Sequence, residues 1–257
     1  MLVDNAQNGL YPTTDHLITC VKINGVHFLY VSLDNSVRAN MNNHPLYMRL
    51  VTICEVVDKI IRSLDDKCIV FFSESCRPSF NGGMDVKENL TSWLSMRRII
   101  SKICKLNFLI EKRNNDDYSD MLFGISVFYT NEVESVIQTY FCRSILSEGF
   151  GSVTVGIKMV TSEIIWGIHF PLDFKGYGKD NMGYKTMINL QELMNEFKGS
   201  VCAFGDFNTI PGAITNAINQ AILSNFEFVF ENELTFFGSF YDTIPIKNDE
   251  IWTSILE

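Results

Sequence analysis

The sequence predicts an α/β protein in which β-sheets are sandwiched between helices. Three observations predict it. Cys68-Ile69-Val70-Phe71-Phe72 and Val201-Cys202-Ala203-Phe204 are short, continuous apolar runs, the kind that suits a strand covered on both faces. Leu46, Leu50, Ile53, Val57, Ile60, Ile61 and Leu64 recur at helical spacing. Strand and helix patterns alternate early and late in the chain, with several strand patterns adjacent in the middle.

Taken in order, Ile18 to Ile23 alternates, Asn24-Gly25 supplies a tight turn, and Val26 to Leu33 returns, which predicts a hairpin. The helix through Leu46 to Leu64 ends at Asp65-Asp66, and the apolar run from Cys68 follows. A second helix is expected over Val86 to Cys104. Strands are expected at Leu106 to Ile110, Leu122 to Tyr129, Val153 to Val160 and Ile164 to Phe170. Met182 to Phe197 reads as a third helix with Met187, Leu190 and Met194 on one face, and Val201 to Phe204 as one more buried strand.

The 257 residues are 46% hydrophobic, enough to bury a sizeable core, and a single domain over residues 1–257 is expected. No segment reaches the apolar length of a membrane span, and Met1 to Asp15 lacks the basic start and apolar middle of a signal peptide. The expected location is intracellular and cytoplasmic, with the nucleus as the alternative. The seven cysteines are odd in number and lack C-x-x-C spacing. Most sit in apolar runs, where a free thiol behaves as a small hydrophobe, so a reducing compartment fits. The net charge of −9 argues against processive binding of a long duplex and leaves small phosphoesters and single-stranded ends as partners. Oligomeric state is not legible.

Three segments carry chemistry. In Gly205-Asp206-Phe207-Asn208-Thr209-Ile210-Pro211-Gly212, a buried strand ends at Gly205. Asp206 and Asn208 then alternate to one side, a carboxylate beside an amide that can bind a water and a phosphoryl oxygen together. The same residue types also make an ordinary surface turn. In Ile164-Ile165-Trp166-Gly167-Ile168-His169, a histidine closes an apolar strand. Facing a cleft, it would donate to a phosphate oxygen; taken alone, it reads first as a structural histidine capped by a backbone group. In Ile69-Val70-Phe71-Phe72-Ser73-Glu74, a carboxylate ends a buried run. Its oxygens suit a hard cation such as Mg²⁺, or it is a solvated loop residue.

The three segments in this order resemble the endonuclease/exonuclease/phosphatase superfamily, the group of deoxyribonuclease I. The resemblance covers about Val26 to Asp242. It implies a four-layer sandwich of two mixed β-sheets flanked by helices. Glu74 matches the family's metal-binding Glu, with Ser73 where Gln often precedes it. His169 matches the first His, and Gly205-Asp206-Phe207-Asn208 matches the Gly-Asp-x-Asn motif. Gly124 to Tyr129 resembles the family's central strand, and Asp34 stands where the family usually has Asn. Glu233 to Gly238 and Tyr241-Asp242 resemble the stretch before a closing Ser-Asp-His motif. The histidines here are His16, His27, His44 and His169, and none follows His169. The resemblance therefore implies either a truncated chain lacking the family's C-terminal strands or a lost final step.

The resemblance further implies a Mg²⁺- (or Mn²⁺-) dependent hydrolase of phosphoesters, most directly a phosphodiesterase acting on nucleic-acid ends or single strands. Glu74 and Asp34 would hold the metal, Asp206 would orient and deprotonate water, and Asn208 and His169 would hold phosphoryl oxygens. An inositol-phosphate or other phosphomonoester phosphatase is a variant of this reading. A catalytically weak relative used for binding or scaffolding is the alternative. Arg97, Arg98, Lys102 and Lys105, joined by Lys112 and Arg113, form a basic face that is either a phosphate-backbone contact or simply solvated. Phe174-Lys175-Gly176-Tyr177-Gly178-Lys179 offers a tyrosine that either stacks on a base or caps a flexible tip.

Overall fold

The computed structural model describes residues 8–12, 17–33, 44–76, 86–113, 122–143, 146–147, 150–151, 153–169, 192–193, 195–206, 226–228, 242–243 and 245–247. The chain divides into two compact units, Met1–Ser135 and Val136–Glu257, each with its own sheet.

The first unit begins with β1 (Asn8–Pro12), β2 (Leu17–Ile23) and β3 (Val26–Leu33). β2 and β3 form the expected hairpin, paired from Leu17↔Ser32 to Ile23↔Val26. Both turn residues, Asn24 at φ 49 and Gly25 at φ 78, take the positive φ that a tight two-residue hairpin turn requires. Helix α1 (His44–Ser63) follows, and its periodic residues Leu50, Ile53, Val57, Ile60 and Ile61 are all buried. The helix stops where Asp65 and Asp66 enter the left-handed region, at φ 57 and 55, which aspartate tolerates better than most residues. β4 (Cys68–Cys76) then runs parallel to β3. Helix α2 (Val86–Cys104) and the antiparallel pair β5 (Asn107–Arg113) and β6 (Leu122–Tyr129) complete a six-stranded sheet in the order β1-β2-β3-β4-β6-β5.

One face of this sheet packs on both helices. Leu29, Val31, Val70, Phe72 and Phe128 share a core with Ile53, Val57 and Ile61 of α1 and Met96, Ile100 and Cys104 of α2. On the other face Phe28, Tyr30, Ile69, Phe71, Ile125 and Val127 are buried as well. Burial of both faces is why β3 and β4 read as continuous apolar runs rather than as alternation.

The second unit follows a 3₁₀ turn at Asn131–Val136. Its strands are β7 (Ile137–Arg143), β8 (Leu146–Ser147), β9 (Phe150–Gly151), β10 (Val153–Met159), β11 (Ile164–His169), β12 (Ser200–Asp206), β13 (Phe226–Phe228), β14 (Asp242–Thr243) and β15 (Pro245–Lys247). Seven of them form a mixed sheet, β13-β15-β12-β11-β10-β7, with β14 also paired to β12; β11 and β12 are its parallel pair. The anchor of one face is Trp166, fully buried across Gly156 of β10. Its Nε1 donates to Ser200 Oγ at 3.0 Å, and Ser200 Oγ donates to the Phe197 carbonyl at 2.7 Å. The Phe197 ring meets Trp166 edge-on at 5.0 Å, and Phe141 of β7 closes the cluster at 5.1 Å from Phe197.

Of the helix expected over Met182 to Phe197, residues 192–193 and 195–196 are helical, and the remainder up to Asn195 lies outside the described residues. The Phe174-to-Lys179 segment also lies outside them. β7 was not expected. Gln138, Thr139 and Tyr140 are exposed in succession, so the strand has no apolar alternation to betray it. Among the described residues no helix is long and apolar enough to cross a membrane.

In the first unit one buried titratable group, His27, makes the fold sensitive to acid. His27 on β3 is 7% exposed, with its Nδ1 3.9 Å from Cys20 Sγ, and burial, helped by Lys22, lowers its pKa to about 4. Burial pushes the Cys20 thiol up to about 12, so both groups are neutral at neutral pH. An unfolded chain takes up a proton at His27 near pH 6.5, whereas the folded chain resists until about pH 4. The stability from a neutral His27 is thus complete above pH 6.5 and is lost as the pH falls towards 4. The expected loss is about 2 kcal/mol by roughly pH 5. Urea unfolding across this range should show it, and His27→Gln should flatten the slope. An unchanged slope in that variant would remove His27 as a cause.

Candidate active site

The second unit brings two of the sequence-predicted residues side by side. His169 is the last residue of β11 and Asp206 the last of β12, and the parallel register places them directly opposite. Two backbone features create this row. The first is a register shift: Ile164 pairs with Ser200, but Ile165 pairs with Cys202, so Val201 is an extra residue. Without it the ladder would set His169 against Gly205. A single inserted residue that re-aims a strand end is a familiar device beside functional sites.

The second feature is Gly205. It has φ +147 and pairs with Ile168, and a Cβ at this position would collide with the Ile168 carbonyl oxygen. Only glycine permits this close approach. The sequence places the strand end at Gly205, but the ladder continues to Asp206 because β14 adds a third partner: Gly205 pairs with Thr243 and Asp206 with Asp242. The row therefore reads Val153, His169, Asp206, Asp242 across β10, β11, β12 and β14. Sequence reasoning gave Asp242 no role. The signal was the resemblance of Tyr241-Asp242 to the family's stretch before its closing motif, which marks the position but not its pairing with Asp206.

His169 departs from expectation in its surroundings. A cleft-facing imidazole was expected, yet the residue is 3% exposed, on the face it shares with Val153, Val155, Ile157 and Ile165. Burial lowers its pKa to about 3. At neutral pH it is uncharged, with one ring nitrogen donating and the other accepting. Whatever it stabilises, it does so by a directed hydrogen bond and not as a cation.

Glu74 belongs to the first unit. It lies on β4, in register with Leu33 of β3 and Gly124 of β6. The strand runs two residues beyond it, because Ser75 and Cys76 continue to pair with Phe123 and Leu122. Glu74 is thus near the strand's end and not its last residue. Asp34 and Asn208 lie outside the described residues. Among the described residues no group of three or more His, Cys, Asp or Glu is arranged to hold a metal ion. The chemistry of the proposed donors still suits Mg²⁺, since this ion takes carboxylate oxygens, commonly needs only one or two from protein, and keeps the rest of its shell as water.

Arg113 was expected to join the basic face. Instead it is mostly buried on β5 and paired with Glu111 at 2.5 Å, and Glu111 in turn accepts from Ser126 Oγ at 3.1 Å. Its charge is compensated within the sheet.

Neither a family model nor a curated protein sequence matches the chain. Solved structures do. The chain is similar to an endonuclease/exonuclease/phosphatase family protein from Leptotrichia buccalis, with a TM-score of 0.51 and 13% identity, over 86% of this chain and 87% of that one. It is also similar to truncated TDP2 of Caenorhabditis elegans, with a TM-score of 0.44 and 10% identity over 82% of each chain. A third likeness is to the human Nocturnin catalytic domain with bound sulfate, with a TM-score of 0.42 and 13% identity over 77% of this chain and 75% of that one. Of these three the Leptotrichia protein carries the assignment. Two mixed sheets, their helices and this likeness give the chain the endonuclease/exonuclease/phosphatase fold.

Proposed function

We propose that the chain is a divalent-metal-dependent phosphoester hydrolase, and specifically a phosphodiesterase acting on nucleic-acid ends or single strands. The observation that carries this reading is the His169–Asp206 row, held in register by an extra residue at Val201 and by the close approach at Gly205. A strand pair distorted in this way at its end is better explained by a task at that end than by packing alone.

In this reading Asp206 orients the attacking water and accepts its proton. Asn208, two residues on, holds a phosphoryl oxygen through its amide. His169 donates an N–H to a second phosphoryl oxygen, and its neutrality keeps that N–H fixed across the physiological pH range. Glu74 and Asp34 would hold the metal. When bound, Mg²⁺ or Mn²⁺ supplies Lewis-acid polarisation of the phosphate and a template for the leaving group. An inositol-phosphate or other phosphomonoester phosphatase remains the variant of this reading.

The second reading, a catalytically weak relative kept for binding or scaffolding, is favoured by one specific observation: an imidazole this buried has the surroundings of a structural histidine. The two readings separate on turnover.

Hydrolysis of bis-nitrophenyl phosphate and of a single-stranded oligonucleotide should depend on Mg²⁺ or Mn²⁺. Asp206→Asn should lower the rate by about 10²–10⁴, the usual worth of a general base. His169→Gln should lower it by about 10²–10³, as expected for one fixed donor to the developing charge. Glu74→Gln should raise the metal concentration needed for half-maximal rate. Undetectable turnover in the parent chain would favour the second reading, and metal-independent turnover would contradict the metal dependence proposed here. A rate unchanged in Asp206→Asn would remove that residue from the chemistry.

Gly205→Ala tests the geometry itself. A side chain forced against the Ile168 carbonyl at a positive φ should cost at least about 2 kcal/mol in urea unfolding. It should also reduce turnover well beyond what the lost stability explains. A fully stable, fully active variant would show that the close approach is dispensable.

A further inference from the structure

The second half of α2 and the start of β5 carry a feature that the proposed site does not use. Residues 97–113 hold six basic side chains and one acidic one, in a chain whose net charge is −9. The structure sorts these charges. Arg113 is withdrawn by its pair with Glu111. Arg98 and Lys102, at i and i+4, share one side of the helix, and Lys105 follows just past its end at Cys104, where the chain turns out of the helix at φ 55; all three are exposed and form one basic stripe. At 1.5 Å per residue Arg98 and Lys102 lie about 6 Å apart along the axis, close to two phosphate spacings of a stacked strand, and Lys105 extends the track beyond them.

An aromatic ring lies beside the stripe. Phe108 on β5 is 36% exposed, unusual for a large apolar side chain amid charges, and it is not loose. Its ring packs edge-on against the fully buried Phe128 at 5.6 Å, and the Arg97 guanidinium sits over it, 4.3 Å from the ring centre. The pairing holds Arg97 beside the stripe as a partly exposed guanidinium on which a base can stack. On the β5 side, Asn107 Nδ2 donates to Asn131 Oδ1 at 2.6 Å, and the turn that begins at Asn131 carries Glu132 and Glu134, so acidic groups bound the basic face there.

We infer that this face, Arg98, Lys102 and Lys105 with the Arg97–Phe108 stack, is a docking surface for single-stranded nucleic acid. Cations along a track joined to a stacking platform are what sequence-tolerant strand binding requires. An anionic membrane would need apolar groups free to insert, and among the described residues of this face the exposed ring, Phe108, is pinned against the sheet. A long duplex is disfavoured by the charge of the whole chain. The inference deepens the proposed function and rests on its nucleic-acid reading of the substrate, but it concerns binding and not hydrolysis.

The test is fluorescence anisotropy with a short 5′-labelled oligo(dT), using the full chain in chelator so that nothing turns over. The parent should bind. Arg98→Gln/Lys102→Gln/Lys105→Gln should weaken binding at least about tenfold and reduce the slope of log affinity against log salt by about 2, since each single-strand phosphate contact contributes about 0.7. Phe108→Ala should weaken binding by about fivefold or more and leave the salt slope unchanged. Arg98, Lys102 and Lys105 are exposed, so thermal unfolding of the triple variant should stay at the parent value, whereas Phe108→Ala, which gives up its packing on Phe128, should unfold somewhat lower and is compared well below that transition. Equal affinity in the triple variant would overturn the inference. So would a parent chain that ignores the oligonucleotide yet binds phosphatidylserine vesicles through the same three residues. Metal-dependent hydrolysis of bis-nitrophenyl phosphate, too small to need this face, should be untouched in the triple variant. Binding without hydrolysis would sink the proposed function alone, and hydrolysis with unaltered oligonucleotide binding in the variant would sink this inference alone.

Discussion

The candidate site depends on one backbone contact, the approach of Gly205 to the Ile168 carbonyl. β11 and β12 are parallel neighbours tied at two points. At the start of β12, Trp166 donates to Ser200, and Phe197 packs on the indole. At the far end, Gly205 lies against Ile168. Between them the ladder absorbs one extra residue at Val201. A register slip of one residue would exchange the faces of every following side chain. Trp166, held across Gly156 by the separate β10–β11 ladder, would keep its place, but His169 would lose Asp206 as its partner. The candidate catalytic row is therefore a consequence of this register, and the Trp166–Ser200 tie fixes the point from which it is counted.

Much of the fold was legible because its signals are local. Asn24-Gly25 between two apolar runs announces a hairpin, since few other residue pairs accept positive φ at both positions. The spacing from Leu46 to Leu64 announces α1, and every periodic residue described there from Leu50 on is buried. β7 was invisible because it is exposed at Gln138, Thr139 and Tyr140, and β14 and β15 because they are two and three residues long. Such strands are defined by their partners and carry little pattern of their own.

The site was legible as a set of residue types and less so as an arrangement. The order of Glu74, His169 and Gly205-Asp206-Phe207-Asn208 pointed to the fold that the structure has. The bulge at Val201, the need for glycine at 205 and the position of Asp242 across from Asp206 all depend on pairing between distant segments, which no local pattern encodes. The electrostatics of His169 were likewise hidden. The sequence shows an imidazole at a strand end; only the packing around it shows that burial lowers its pKa to about 3 and leaves it a neutral donor. Arg113 makes the same point in reverse, since a residue that reads as part of a basic face is paired with Glu111 within the sheet.

The central claim is the register of the parallel pair, and nuclear Overhauser contacts between the backbones of β11 and β12 test it most directly. The account predicts cross-strand contacts that link Ile164 with Ser200, then Ile165 with Cys202, and finally Ile168 with Gly205 and His169 with Asp206. An uninterrupted ladder, in which Ile165 meets Val201 and His169 meets Gly205, would contradict it.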